Sequence, residues 1–249
     1  MPYKAVLFDA NNTLWEWPSD SVDLIYGVLH FLDKPTDRDL IRTCLAAASE
    51  SWFEPQLLAL ETNGQGAALE EVQKLLRKRD MELLKLMDIP DQTGLVRSAI
   101  QSAFASRRPV LFPDVAPALH ELRQRGVSMA VVSNGWQQPY DAARLGIAGY
   151  FGSILGSAHV GYRKPMPEIF HRALQHLDVV PQEALHVGDT YDDDVAGAQQ
   201  AAVYPVLLDR TGAGQRDGVQ TISSLSELLS LSPEHYAKAE ESGRFTRPW

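Results

Sequence analysis

Four short, mostly apolar runs, Ala5–Phe8, Ser128–Val132, Leu185–Val187 and Tyr204–Leu208, recur along the chain with helical-looking stretches between them. Apolar runs of that length alternating with helices favour an α/β fold built on a parallel sheet. The first three runs end at once in groups able to do chemistry: Asp9, Ser133, and Gly188 with Asp189. Open α/β sheets bind ligands outside the carboxyl ends of their strands, so these residues, far apart in sequence, are expected to line one crevice.

One stretch breaks the alternation. From about Trp15 to Arg108 the pattern is helical, with candidate helices at Val22–Phe31, Leu40–Leu60 and Leu69–Met87, and Pro35, Asn63-Gly64 and Pro90 as helix ends. A helical insertion placed directly after the first strand reads as a lid over the crevice. The later helices are expected from Pro113-Asp114 to Gly126, and over Pro139–Leu145, Pro167–Leu177, Val195–Ala202 and Ser224–Leu231. The ending Arg244–Trp249 reads as a docked or frayed tail.

Composition narrows the functions open to such a fold. With 249 residues and 45% hydrophobic content, the chain can bury a core and a smaller second unit. A formal net charge of −9 argues against a nucleic-acid or anionic-membrane surface, which needs clustered Lys and Arg. No charged leader with an apolar run opens the sequence, and no run approaches the roughly 20 residues of a membrane span, so a cytoplasmic protein is expected. Cys44 stands alone, without a partner for a disulfide or a zinc site, and reads as a small apolar helix residue.

The candidate chemistry is a combination. Asp9 offers a carboxylate at a strand end, Ser133 a hydroxyl donor, Lys164 a point positive charge, and Asp189 with Asp192, Asp193 and Asp194 a dense acidic group. Phosphoryl transfer needs a nucleophile, donors for phosphate oxygens, and oxygen ligands for a divalent ion. His159, His171, His176 and His186 have no metal-like spacing tied to the crevice and read as surface or packing residues.

In this order and context, the four motifs resemble those of the haloacid dehalogenase-like hydrolase superfamily over nearly the whole chain. The resemblance implies a Rossmann-like parallel sheet of order 3-2-1-4-5, with core residues 1–15 and 109–249 and a helical C1 cap at 16–108. It also implies Mg²⁺ and an aspartyl-phosphate on Asp9, which doubles as metal ligand, with Asp189, Asp194 and the Asn11 backbone carbonyl completing the metal set. Asp193 is the rival to Asp194. Thr13, Ser133, Asn134 and Lys164 would bind the transferring group, and Lys164 would offset its charge. The expected substrate is a small phosphorylated metabolite.

One residue departs from the family's phosphatase pattern. Where a second Asp normally stands two residues after the nucleophile, this chain has Asn11, which can neither donate a proton to a leaving group nor take one from water. Loss of a general acid/base costs about a hundred- to ten-thousand-fold in rate. The chain is then an engineered Asp-to-Asn form, a natural phosphatase suited to good leaving groups or to a longer-lived phosphoenzyme, or a member that has left phosphatase chemistry. The last group includes 2-haloacid dehalogenases and non-catalytic binding proteins. Trp15 and Trp17, just beyond the motif, are candidates for gating the crevice, with Arg42, Trp52 and Phe53 as weaker candidates in the lid.

Overall fold

The computed structural model describes residues 3–34, 36–212 and 218–231. The expectations for Pro35 and for the Arg244–Trp249 tail lie outside the described residues. Strands β1 (Ala5–Phe8), β2 (Trp15–Glu16), β3 (Val110–Leu111), β4 (Ser128–Ser133), β5 (Ser153–Gly156), β6 (Ala184–Gly188), β7 (Tyr204–Leu208) and β8 (Gln220–Ile222) form two sheets. Six are parallel neighbours in the order β5-β4-β1-β6-β7-β8, which puts β1 between the two strands that carry the other motifs.

Because side chains alternate along a strand, β1 feeds both faces of the sheet. Val6 and Phe8 join Val115, Leu119 and Leu122 of helix Val115–Gln124 on one face, and Ala5 and Leu7 join Ile169, Phe170 and Leu174 of helix Pro167–Leu177 on the other. Burial on both faces explains why these strands read as near-continuous apolar runs. Two strands of the sheet escaped the sequence reading. Ser153-Ile-Leu-Gly156 and Gln220-Thr-Ile222 are too short and too polar to stand out, and they form only against β4 and β7.

Between β2 and β3 lie helices α1 (Ser21–Phe31), α2 (Arg38–Ala48), α3 (Glu54–Glu61), α4 (Leu69–Leu86) and α5 (Leu95–Ser106). The single helix expected over Leu40–Leu60 is interrupted by a π-helical turn at Ser49–Phe53, after which Pro55 sits in the first turn of α3. Helix α5 was not anticipated, although Val96, Ile100 and Phe104 repeat every four residues, because Ser and Gln dilute its pattern. These helices share an apolar cluster of their own that includes Ile25, Leu29, Ile41, Leu83 and Ile100. Beyond the insertion, the chain continues through α6 (Val115–Gln124), α7 (Gln138–Arg144), α8 (Ser157–Val160), α9 (Pro167–Leu177) and α10 (Ala196–Gln200). Among the described residues no helix is long and apolar enough to cross a membrane.

Candidate active site

Asp9 follows β1 directly, Ser133 ends β4, and Asp189 follows β6, so the parallel register brings the three to one edge of the sheet. Lys164 reaches this edge from the loop before α9. Its Nζ donates to Asp9 Oδ1 and to Asp194 Oδ1, each at 2.5 Å. The second oxygen of Asp194 accepts from the Thr190 amide at 2.9 Å, and His186 Nε2 lies 2.9 Å from its first. An ionised carboxylate only accepts, so His186 is the donor in that pair. Asp194 thereby has both oxygens engaged by protein groups.

The close approach behind this arrangement depends on Gly188. A Cβ there would lie 2.1 Å from Asp194 Cγ, so no other residue lets the π-helical turn Tyr191–Val195 fold back against β6.

Burial shapes the charges. Removal from water pushes the Asp9 carboxyl up to about 6; Lys164 opposes that shift, while Asp194 and Asp189 add to it. Burial also opposes ionisation of Asp194, yet Lys164 and then His186 outweigh it and hold the acid well below its ordinary range. Lys164 loses solvation as well, but Asp9 and Asp194 keep its ammonium charged far into the alkaline range. Asp189 is raised, first by burial and then by Asp194. The His186 imidazole is pushed down by burial, against the pull of Asp194.

Ser133 Oγ accepts from Gln138 Nε2 at 3.4 Å, which leaves its own hydrogen available. The Asn134 side chain is committed elsewhere. Its Oδ1 accepts from the Lys164 amide at 2.8 Å, and its Nδ2 donates to the Lys164 carbonyl and to Asp193 Oδ2, both at 3.1 Å. The Thr13 hydroxyl is buried and has no partner among the described residues. Asn11 Oδ1 accepts from both indoles, Trp15 Nε1 and Trp17 Nε1, at 3.1 Å each. Trp15 is fully buried, so at least one of the two candidate gates is a packed residue.

Sequence reasoning missed His186 as a neighbour of the site. It was legible as the one polar residue inside the buried run Ala184-Leu-His-Val-Gly188, where a ring nitrogen must find a partner. It also missed the Asn134 clamp on Lys164, which no spacing announces. Arg42 pairs with Asp39 on an exposed helix face.

The insertion touches the core close to Lys164. Glu61, at the end of α3, accepts from Ser157 Oγ at 2.6 Å and pairs with Arg163 at 3.2 Å. The Gly64 and Ala67 amides donate to the carbonyls of Gly161 and Ala158. A cavity of about 590 Å³ lies between α4, α5 and the Gly135–Gln137 segment that follows Asn134.

Residues 3–202 match the family described as haloacid dehalogenase-like hydrolase. The chain belongs to that family. A haloacid dehalogenase-like relative from Methanopyrus kandleri, a glyceraldehyde 3-phosphate phosphatase, is 32% identical over 83% of this chain and 84% of its own. A ribulose-1,5-bisphosphate 5-phosphatase of Halopiger xanaduensis is 28% identical over 91% of this chain and 98% of its own. Among solved structures of the family, the 2-haloacid dehalogenase of Pseudomonas syringae superposes with a TM-score of 0.66 at 25% identity, covering 95% of this chain and 99% of that one.

Proposed function

We propose that the chain is a phosphomonoesterase that transfers the phosphoryl group of a small phosphorylated metabolite to Asp9 and then to water. The observation that carries this reading is the Lys164 ammonium held between Asp9 and Asp194 at the end of β1. Asp9 Oδ1 is bound to Lys164, so Oδ2 is the atom that attacks phosphorus while the ester oxygen departs. Lys164 and the free hydrogen of Ser133 bind phosphate oxygens, joined by the Asn134 backbone amide and the Thr13 hydroxyl. Water then cleaves the acyl phosphate and regenerates the carboxylate. The helical insertion, residues 16–108, serves as the cap.

Two carboxylates, Asp9 and Asp194, share the Lys164 ammonium, Asp189 stands nearby, and Asp9 and Asp189 are both raised, first by burial and then by their acidic neighbours. An all-oxygen donor set with excess negative charge fits Mg²⁺. Among the described residues no three His, Cys, Asp or Glu side chains form a metal-holding group. The ligands would therefore be the carboxylates of Asp9 and Asp189 with the backbone carbonyl of Asn11. Asp194, both oxygens engaged, would contribute charge and hold Lys164. When bound, the ion supplies positive charge to the phosphate oxygens.

Asn11 has its oxygen fixed by two indoles and cannot supply the leaving group with a proton. The reaction then favours esters whose alcohol leaves without protonation. Mg²⁺-dependent hydrolysis of p-nitrophenyl phosphate is expected for this chain, abolished by Asp9→Asn and by chelation. Asn11→Asp should raise the rate on an alkyl phosphate by about a hundredfold or more, the usual worth of a general acid/base. No hydrolysis in either form would defeat the reading. The missing acid also favours a second reading, attack of Asp9 on carbon as in a 2-haloacid dehalogenase, and fluoride release from fluoroacetate without metal would select it.

A further inference from the structure

We infer that the substrate carries a second acidic group, a carboxylate or another phosphate, at the end away from the reacting phosphoryl group, and that Arg77 and Arg79 receive it. The inference rests on the phosphatase reading above and names the class of ester that reading leaves open.

The chain has 32 acidic and 23 basic residues, yet three arginines and one acid line the 590 Å³ cavity between the insertion and the core: Arg77, Arg79 and Arg107 against Asp80. Asp80 does not cancel this excess as a free charge. It is 2% exposed, its Oδ1 accepts from Arg79 Nε at 3.1 Å and Nη2 at 2.7 Å, and its Oδ2 accepts from Gln101 Nε2 at 3.3 Å. A carboxylate engaged on both oxygens fixes the guanidinium plane, and Phe53 and Phe104, with ring centres 5.3 and 5.8 Å from Arg79 Cζ, flank it. Arg79 is thus an oriented arginine with donors to spare, the arrangement that recognises a planar or tetrahedral anion. Arg77 lines the same cavity and has no partner among the described residues. Nε of Arg107 is buried without a partner.

Two sets of residues link the cavity wall to the reacting end. Gly135–Gln137 form part of its wall and follow Ser133 and Asn134 directly. Arg107 packs 4.6 Å from the centre of the Trp17 ring, whose N–H bonds Asn11, two residues from the nucleophile. A volume of this size holds a molecule larger than the phosphate alone. A neutral sugar end would leave the Arg77 guanidinium and the spare donors of Arg79 without a charged partner, whereas an anion meets them with charge-assisted bonds.

The test is a set of matched esters that differ in the far end: glycerol 3-phosphate against 3-phosphoglycerate, glucose 6-phosphate against 6-phosphogluconate, and fructose 6-phosphate against fructose 1,6-bisphosphate. kcat/KM is measured with Mg²⁺ for the unchanged chain, Arg77→Gln and Arg77→Lys, with p-nitrophenyl phosphate as reference. The acidic member of at least one pair should be preferred tenfold or more. Arg77→Gln should bring that ratio below threefold through KM, and Arg77→Lys should restore part of it. The first two pairs read a carboxylate, the third a second phosphate. Ratios under threefold in every pair, or a ratio unmoved by Arg77→Gln, overturn the inference. Inactivity on every ester, p-nitrophenyl phosphate included, overturns the phosphatase reading instead. Where the alkyl esters are turned over too slowly to rank, calorimetric titration of Asp9→Asn with the same pairs judges the inference by the same ratios in Kd.

Discussion

Asp141, in α7, is a carboxylate that the proposed chemistry does not use and that the fold has left poorly served. It is 2% exposed, its Oδ1 has no partner, and Arg144 comes no nearer than 4.0 Å. Burial pushes its carboxyl from 3.8 up to about 6, against the pull of Arg144 and Arg107. A carboxyl raised in the folded state binds its proton more tightly there than in the unfolded chain. Its contribution is therefore most favourable below about pH 4 and is lost as pH rises through about 6. Asp141→Asn should then stabilise the protein by about 1 kcal/mol at pH 7.5, after discounting for solvent screening. That corresponds to a rise in Tm of about 2 to 4 °C, and it should shrink toward zero at pH 4. Thermal melts at both pH values check this; equal gains would assign the effect to packing rather than ionisation. Asp9, Ser133, Lys164 and Asp189 were legible because each is a reactive group beside an apolar run or a Pro. Asp141 was not, since an acid early in a helix reads as a surface residue until its burial is known.

At the scale of elements, the alternation of apolar runs and helices was legible because strands buried on both faces must be apolar throughout. What stayed hidden were features set by contacts distant in sequence: β5, β8, the π-turn at Ser49–Phe53, and the stitch between the Asn63–Gly66 turn and the Ser157–Gly161 segment. Gly66 shows what the stitch demands. Its φ is +77°, and a Cβ would stand 2.0 Å from the His159 carbonyl oxygen. Gly66→Ala must therefore displace the turn and weaken the bond from the Ala67 amide to the Ala158 carbonyl. A left-handed alanine costs about 1 to 2 kcal/mol before any lost bond. We expect a loss of at least that size in urea denaturation, together with a raised KM. Unchanged stability would mean that the turn is not held against the core in solution.

Over the whole molecule, apolar burial is divided. One cluster lies on each face of the main sheet and a third within the insertion, with no buried residue among the described residues shared between the third and the others. Leu83→Ala in the insertion and Leu119→Ala under the sheet should each cost about 2 to 5 kcal/mol. Sites without shared partners add to within about 0.5 kcal/mol, so the double variant should show the sum in chemical denaturation. A larger discrepancy would reveal strain passing between the two bodies.

The two bodies do meet at neighbouring links of one chain. Arg163 grips Glu61 of the insertion, and the next residue, Lys164, grips Asp9. A lever has this form: force applied at one residue is delivered to the adjacent one, with the peptide bond as its arm. Were the insertion to act as the proposed cap and swing outward, the tug would arrive first at the lysine beside Asp9, so that loosening the one and disarming the other would be a single event.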